Sequence, residues 1–335
     1  MGNMTIKDIA RISGCSVSTI SRVINDRPDV RPETKERVLE VMREAGFVPN
    51  TNARQLKIQQ SRSLVFVVKG TRNIFFSEFL VQLQRAATLY GYNGIVSYLD
   101  ENANEIDAAE KILREIKPKG MIFLGGSVAN FQKGFANISV PSVLATLVSD
   151  KLDFPNLSMV GVDDRAAAYQ AVSYLIQQGH RKIAVLGGPA TSHPSIMRRQ
   201  GAQQAMEDAG IRFEDKLYGL SNYDFESAYH AMNGLLARRA EFTALFAMSD
   251  VIAFGAIRAL VSAGLRVPED VSVIGFDGIT MSRYCVPVMT TIVQPSEQIA
   301  LQSIELLVRQ IEHGTPAQTV TLQPELQQGE SVRAI

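Results

Sequence analysis

The sequence contains no tryptophan, only two cysteines, and no apolar run long enough to cross a membrane. Cys15 and Cys285 stand far apart in the chain, which excludes a disulfide framework and a cysteine-rich zinc site. We expect both to be small buried residues. The first residues lack the basic start and apolar run of a signal peptide, so we expect a cytoplasmic protein without a membrane segment.

The signatures of common enzyme classes are also missing. There is no Gly-x-Gly-x-x-Gly, no Gly-Lys-Ser/Thr and no Gly-x-Ser-x-Gly segment, which argues against dinucleotide, P-loop and serine-hydrolase sites. The histidines have no metal-binding spacing: His180, His193, His230 and His313. We therefore expect no catalysis and no cofactor or metal.

Length and charge favour a small basic module joined to a large domain. The 335 residues exceed one ordinary domain, and 46% of them are apolar, as in a globular protein with a filled core. Residues 1–60 contain ten Lys and Arg against seven Asp and Glu, although the whole chain has zero net charge. This excess is weak support for a nucleic-acid partner.

Short helices separated by breakers are predicted in this basic region. Thr5 and Asp8 have the spacing of a capping box, and Gly14 ends the helix that they open. Ser16 is placed to cap a second helix, and Pro32 suits the first turn of a third. The third helix has apolar residues at helical spacing: Val38, Leu39, Val41 and Met42.

A glycine turn between the first two helices, followed by Ser, Thr and Arg, predicts a helix-turn-helix. Val17, Ser18 and Arg22 are expected to face bases, since Arg matches guanine N7 and O6 and Val can touch a thymine methyl group. The residues expected at phosphates are Ser16, Thr19, Ser21 and Asn25. The alternative, a helical hairpin without DNA, does not explain this polar face.

Strand and helix patterns alternate from residue 64 onward, which predicts parallel sheets covered by helices. The predicted strands are 64–68, 94–98, 121–124, 159–162, 183–186, 244–248 and 271–276. The predicted helices are 76–90, 166–178, 200–209, 225–237 and 252–263. This run is too long for one doubly wound sheet of usual size, so we expect two similar lobes.

The chain resembles the lactose/galactose repressor family over almost its whole length. In the head, the resemblance lies in residues 5–10, 17–25, 36–38 and 46–50. In the body, it lies in residues 179–184, Arg198 with Gly201, 265–277 and 290–292. The resemblance implies an all-α helix-turn-helix head and an α/β two-lobed sensor like a periplasmic sugar-binding protein. It also implies a homodimer on pseudo-palindromic double-stranded operator DNA.

The domains expected from the resemblance are a head (1–49), a hinge (50–60) and a sensor (61–335). Lobe 1 of the sensor is expected at about 61–162 and 293–322, and lobe 2 at about 163–292 and 323–335. The hinge is expected to become helical on the operator, with Leu56 as a wedge in the minor groove; the alternative is a flexible linker. The remaining predicted DNA contacts are Thr5, Thr34, Asn50, Ala53, Arg54 and Lys57. Phe47 stands where many relatives have Tyr.

The resemblance also implies an effector cleft. Its predicted residues are Phe75, Phe76, Thr146, Arg198, Tyr223, Ser249 and Asp277. Aromatic faces with a few fixed polar groups suit a sugar, although Thr146 stands near a position where relatives use an acidic residue. We expect a repressor of carbohydrate genes. The alternatives are a purine or nucleoside sensor, a carbon-control regulator with a protein co-effector, a sugar-transport protein and a sugar-modifying enzyme.

Overall fold

The computed structural model describes residues 4–24, 27, 29–47, 62–70, 73–239 and 241–335. The chain divides into two units, Met1–Gln59 and Gln60–Ile335. The described part of the first unit is helical, and the second unit is α/β. The predicted fold class is therefore confirmed in both parts of the chain.

The described helices of the head are α1 (Ile6–Ser13), α2 (Val17–Ile24) and α3 (Pro32–Glu44). The carboxylate of Asp8 accepts hydrogen bonds from the Thr5 N–H at 3.0 Å and the Thr5 hydroxyl at 2.6 Å. Gly14 ends α1 in the left-handed region at φ 65°, where glycine has no steric penalty. The Ser16 hydroxyl accepts from the Thr19 N–H at 3.1 Å and so caps α2.

A small apolar core joins these helices. Its buried members are Ile9, Ala10, Ile20, Val23, Val38 and Met42. Leu39, one of the apolar residues at helical spacing in α3, is 39% exposed and does not belong to this core. It follows Val38 by one residue, which turns it about 100° around the helix and away from the core.

Cys15 and Cys285 are half-buried rather than buried, so the prediction that both are buried was wrong.

Helices and strands alternate through the sensor. The first elements are β1 (Ser63–Lys69), α4 (Ile74–Leu89), β2 (Asn93–Leu99), α5 (Glu105–Glu115), β3 (Gly120–Leu124), α6 (Val128–Gly134), β4 (Ser142–Ala145) and β5 (Leu157–Val162). Next come α7 (Asp164–Gln177), β6 (Ile183–Gly187), α8 (His193–Asp208), β7 (Tyr218–Leu220), α9 (Phe225–Ala237), β8 (Ala244–Ala247), α10 (Asp250–Ser262), β9 (Ser272–Asp277) and β10 (Thr290–Val293). The last are α11 (Ser296–His313), β11 (Thr319–Leu322) and β12 (Glu325–Gln327).

Two six-stranded sheets form the two lobes in the part of the sensor that the structure describes. Their strand orders are β11-β5-β4-β3-β1-β2 and β12-β10-β9-β8-β6-β7. Neighbouring strands are parallel except for the antiparallel pair β10 and β12. The chain passes between the lobes after β5, after β10 and after β11. Val293 still pairs with Asp277 in the second sheet, so the second crossing begins one residue beyond the expected boundary.

The sheets lie between layers of helices, and their central strands are buried on both faces. Five consecutive residues of β1, Leu64 to Val68, are each at most 1% exposed. Burial on both faces explains why these strands are continuous apolar runs in the sequence.

None of the described helices combines the length and the apolar character needed to span a bilayer.

Candidate DNA-binding surface and ligand cleft

Hydroxyl groups and one exposed apolar side chain lie together at the start of α2. The Ser16 hydroxyl is within hydrogen-bonding distance of the Ser18 hydroxyl (2.7 Å) and the Thr19 hydroxyl (2.8 Å). Val17 is 42% exposed beside them. Such a surface can donate to phosphates and present a methyl contact to a base. Of the other predicted contacts, Thr5 is exposed, and Ser21 and Thr34 are half-buried.

The predicted base-reading arginine forms an ion pair within the head. Arg22 Nη1 lies 3.5 Å from Asp29 Oδ2, and the two side chains are 60% and 57% exposed. Exposed pairs of this kind contribute little to stability. The guanidinium can therefore leave Asp29 for a guanine at small cost.

Some predicted DNA contacts lie outside the described residues. They are Asn25 and the hinge residues Asn50, Ala53, Arg54, Leu56 and Lys57. Their roles stay predictions.

A cleft between the two lobes contains most of the predicted effector residues. The structure brings together Phe75, Phe76, Thr146, Arg198, Tyr223 and Asp277. The space between its lining residues, together with open solvent at its mouth, is about 1120 Å³. The cleft lies beyond the carboxyl ends of strands in both sheets, which is where open parallel sheets bind ligands.

Arg198 is the centre of the polar wall on the second lobe. Its Nε donates to Asp164 Oδ1 at 2.7 Å, its Nη1 donates to the Met248 carbonyl, and Nη1 lies 3.6 Å from Asp277 Oδ1. The guanidinium also lies 3.6 Å from the centroid of the Phe276 ring. Because Arg198 is only 4% exposed, these partners fix both its charge and its direction.

Asp277 ends β9 and faces the cleft with a constrained backbone, at φ 111°. Gln294 donates from Nε2 to Asp277 Oδ1 at 2.8 Å. Burial raises the pKa of Asp277 to about 6, although the Arg198 charge and the Gln294 hydrogen bond lower it. Asp277 is therefore ionised above this pH and can accept hydrogen bonds from a ligand.

Aromatic side chains come from both lobes. Phe75 and Phe76 stand in the first turn of α4, where the Asn73 side chain accepts from the Phe75 N–H at 3.1 Å. Phe75 is 5% exposed and packs against Val251 and Ile279 of the second lobe. On the second lobe, the Tyr223 hydroxyl lies 2.6 Å from the Ser195 hydroxyl.

Ser249 does not line the cleft, contrary to the prediction. It is 3% exposed, and its hydroxyl accepts from the Ile252 N–H at 3.1 Å, which caps α10. A serine directly before a helix satisfies backbone donors of the first turn. The structure therefore gives Ser249 a capping role.

Several polar cleft residues were missed in the sequence. They are Lys69, Asn73, Glu101, Asn102, Ser127 and Gln294. Most of them end or closely follow a strand, as Asp277 does, so a search for polar residues at strand ends would have found them. Across the part of the chain that the structure describes, no group of three or more His, Cys, Asp or Glu side chains is placed to hold a metal ion.

Two family models match the chain. The model of bacterial regulatory proteins of the lacI family matches residues 5–50. A periplasmic binding protein-like domain matches residues 172–332. The two matches cover the head and a large part of the sensor.

The chain is also similar to known regulators over nearly its full length. It is 37% identical to the HTH-type transcriptional regulator MalR of Clostridium butyricum, over 98% of this chain and 99% of that protein. A solved complex of the transcriptional regulator CelR with cellobiose is 27% identical, with a TM-score of 0.73 over 98% of this chain and 99% of that one. The lac repressor dimer bound to operator is 23% identical and shares the fold, with a TM-score of 0.82 over 99% of this chain and 100% of that one. The resemblance found in the sequence is confirmed: this chain belongs to the lacI family of bacterial regulatory proteins and is a transcriptional regulator, not an enzyme.

Proposed function

We propose that this chain is a cytoplasmic repressor of carbohydrate genes that binds a pseudo-palindromic operator as a homodimer. Its affinity for the operator falls or rises when a sugar-like effector binds in the cleft. The head contacts DNA through the start of α2, with Val17, Ser18 and Arg22 at bases. The hinge binds the minor groove.

The observation that carries the effector proposal is the polar and aromatic lining of one cleft. Arg198 and Asp277 offer a donor and an acceptor that are already fixed by buried partners. Phe76 and Tyr223 add flat apolar surfaces. A sugar presents hydroxyl groups around its rim and C–H groups on its faces, so this lining matches both. The CelR complex with cellobiose supports the same class of ligand.

The position of the cleft supports a coupling between ligand and DNA. It lies between lobes that the chain connects at the three crossings, and a ligand that contacts both lobes favours one arrangement of them over another. The differential affinity for the two arrangements sets the size of the effect on DNA binding.

The DNA function is tested by selecting sequences from a random duplex library with the purified full chain. We expect a two-fold symmetric consensus and a dimer in sedimentation. Enrichment without symmetry, or a stable tetramer at micromolar concentration, contradicts this assembly.

The effector function is tested by a thermal-shift screen against sugars, sugar phosphates, nucleosides and nucleobases, followed by anisotropy with the selected operator. A ligand raises the melting temperature by mass action. We expect sugars to raise it and to change operator affinity. A response to nucleobases alone supports the purine sensor instead.

A further inference from the structure

A lysine lines the first-lobe side of the cleft, and the polar residues around Arg198 line the second-lobe side. Lys69 is the last residue of β1 and lines the cleft with a side chain that is 14% exposed. Its ammonium donates to Glu105 Oε2 at 2.9 Å. Glu105 is fully buried at the start of α5. An ammonium has three N–H donors, and this ion pair uses one of them.

The carboxylate of Glu105 is held from several directions. The Ser127 backbone N–H donates to Oε1, and Asn130 Nδ2 donates to Oε2 at 3.1 Å. A buried carboxylate is stable only when it is paired and hydrogen-bonded. Glu105 therefore limits the positions of the Lys69 ammonium and balances its charge.

A further carboxylate lies beside this pair. A Cβ atom added at Gly70, the residue after Lys69, would lie 2.7 Å from Glu101 Oε2, so this carboxylate covers the backbone there. Burial raises the pKa of Glu101, which the Lys69 charge lowers and the Asp224 charge across the cleft raises. Glu101 thus adds negative charge to this side of the cleft, beyond the balanced pair of Lys69 and Glu105.

The cations among the described lining residues of the cleft are paired with carboxylates. Among the lining residues that the structure describes, these cations are Lys69 and Arg198. Lys69 is paired with Glu105, and Arg198 with Asp164 and Asp277. Among the lining residues that the structure describes, a phosphate or carboxylate ligand would meet no uncompensated positive charge, and it would be repelled by Glu101 and Asp277.

We propose that Lys69 is a second hydrogen-bonding subsite, which donates to a hydroxyl group of an uncharged, polyhydroxylated effector, and that the carboxylates of the cleft disfavour the phosphorylated form of that effector. This inference rests on the proposed function. It assigns the ligand to the neutral sugars rather than the sugar phosphates, and it gives the first lobe a ligand contact of its own.

The test is calorimetric titration of the full chain with matched probes: glucose and glucose 6-phosphate, and trehalose and trehalose 6-phosphate, with maltose and cellobiose as further uncharged sugars. We expect the best uncharged sugar to bind more tightly than any phosphorylated probe, by about tenfold or more. The variant Lys69→Met/Glu105→Gln removes the ion pair without leaving a buried charge, and its new amide oxygen can still accept from the Ser127 N–H. We expect it to bind that sugar about 10- to 100-fold more weakly, as for a lost bond to a charged donor.

Lys111→Met is the control, because Lys111 lies in α5 with a side chain that is 71% exposed. It should leave the affinity unchanged. Tighter binding of a 6-phosphate overturns the inference. So does a Lys69→Met/Glu105→Gln variant that is folded by circular dichroism and retains the parent's affinity, because Lys69 is then only a structural ion pair. In both cases the proposed function stands. If no probe of either class binds the parent protein, the proposed sugar function fails, and this inference fails with it.

Discussion

The carboxylate of Glu78, in α4 of the first lobe, accepts hydrogen bonds from Thr280 of the second lobe. The Thr280 N–H lies 3.2 and 3.1 Å from the two carboxylate oxygens, and the Thr280 hydroxyl lies 3.1 Å from Oε2. Thr280 begins a short 3₁₀ helix, Thr280–Arg283, whose first N–H groups have no partner within the helix. This contact, together with the packing of Phe75 on Ile279, favours the present arrangement of the lobes.

If the effector binds the present arrangement of the lobes, removing this interlobe contact should weaken effector binding. Glu78→Ala loses exposed hydrogen bonds worth about 0.5–1.5 kcal/mol, so we expect about a two- to tenfold higher dissociation constant in calorimetry. The contact lies outside the cleft lining, so the substitution affects the ligand through the arrangement of the lobes and not through a lost ligand contact. Glu115→Ala, at a side chain that is 61% exposed in α5, is the control. Equal affinities in both variants contradict the role of Glu78.

Substitutions of the two buried aspartates that pair with Arg198 are expected to differ in their effects on effector affinity and stability. Asp164 and Asp277 both pair with Arg198, but only Asp277 lines the cleft. Asp277→Asn should therefore lose most effector affinity, because ligand hydroxyls are desolvated against a weaker acceptor. Asp164→Asn should lower the melting temperature with a smaller effect on affinity. Operator binding without effector should persist in both. Parent-like effector affinity in Asp277→Asn, measured by calorimetry, shows that the cleft contacts are misplaced.

The pH dependence of effector binding is expected to report the same carboxylate. Burial raises the pKa of Asp277 to about 6. Below this pH the native protein binds a proton there and loses acceptors that the ligand needs, so affinity should fall as the pH drops through about 6. Above it, affinity should be constant. Titration calorimetry between pH 5 and pH 8 checks this. Asp277→Asn should flatten the profile, and an unchanged slope in that variant assigns the effect to another group.

Periodicity found most of the long elements of the fold, but it missed α11, the 18-residue helix Ser296–His313, and placed the start of α8 seven residues late. Continuous apolar runs such as 64–68 and 271–276 predicted central strands because both faces of these strands are covered by helices. Shorter or more polar elements were missed. α5 begins with Glu105, whose burial depends on Lys69, a residue 36 positions earlier. No local pattern contains that information.

The cleft was predictable only in part, for a similar reason. Asp277 follows a recognisable strand, and its direction into the cleft follows from topology. Ser249 has the same sequence context, but its hydroxyl caps α10. The choice between capping and ligand contact depends on side-chain direction, which the sequence pattern does not fix.

The hinge wedge gives a prediction for residues outside the described part of the chain. If Leu56 inserts into the minor groove, Leu56→Ala should weaken operator binding and reduce DNA bending, because the kink depends on the apolar wedge. Effector affinity should be unchanged. Circular-permutation gel shifts measure the bend. The same bend for parent and variant contradicts the wedge.

Base recognition by Arg22 is tested by substituting Arg22 and, separately, its ion-pair partner Asp29. Arg22→Ala should cost about 1–3 kcal/mol on the operator and relax preference at one base pair in each half-site, because a bidentate contact to guanine is lost. Arg22→Lys keeps the charge but not the fork, so it should restore binding to random DNA more than binding to the operator. Anisotropy at one salt concentration compares the two duplexes.

Asp29→Ala distinguishes whether Arg22 contacts a guanine base or a phosphate. Asp29 holds Arg22 at 3.5 Å in the free head, and this partner must be released before the guanidinium can reach a base. Removing it also removes a negative charge from the head, so affinity should rise on every duplex. If Arg22 reads guanine, the rise should be larger on the operator than on random DNA, and Arg22→Ala should abolish the difference. Equal rises on both duplexes, together with equal losses in Arg22→Ala, show that Arg22 contacts phosphate only.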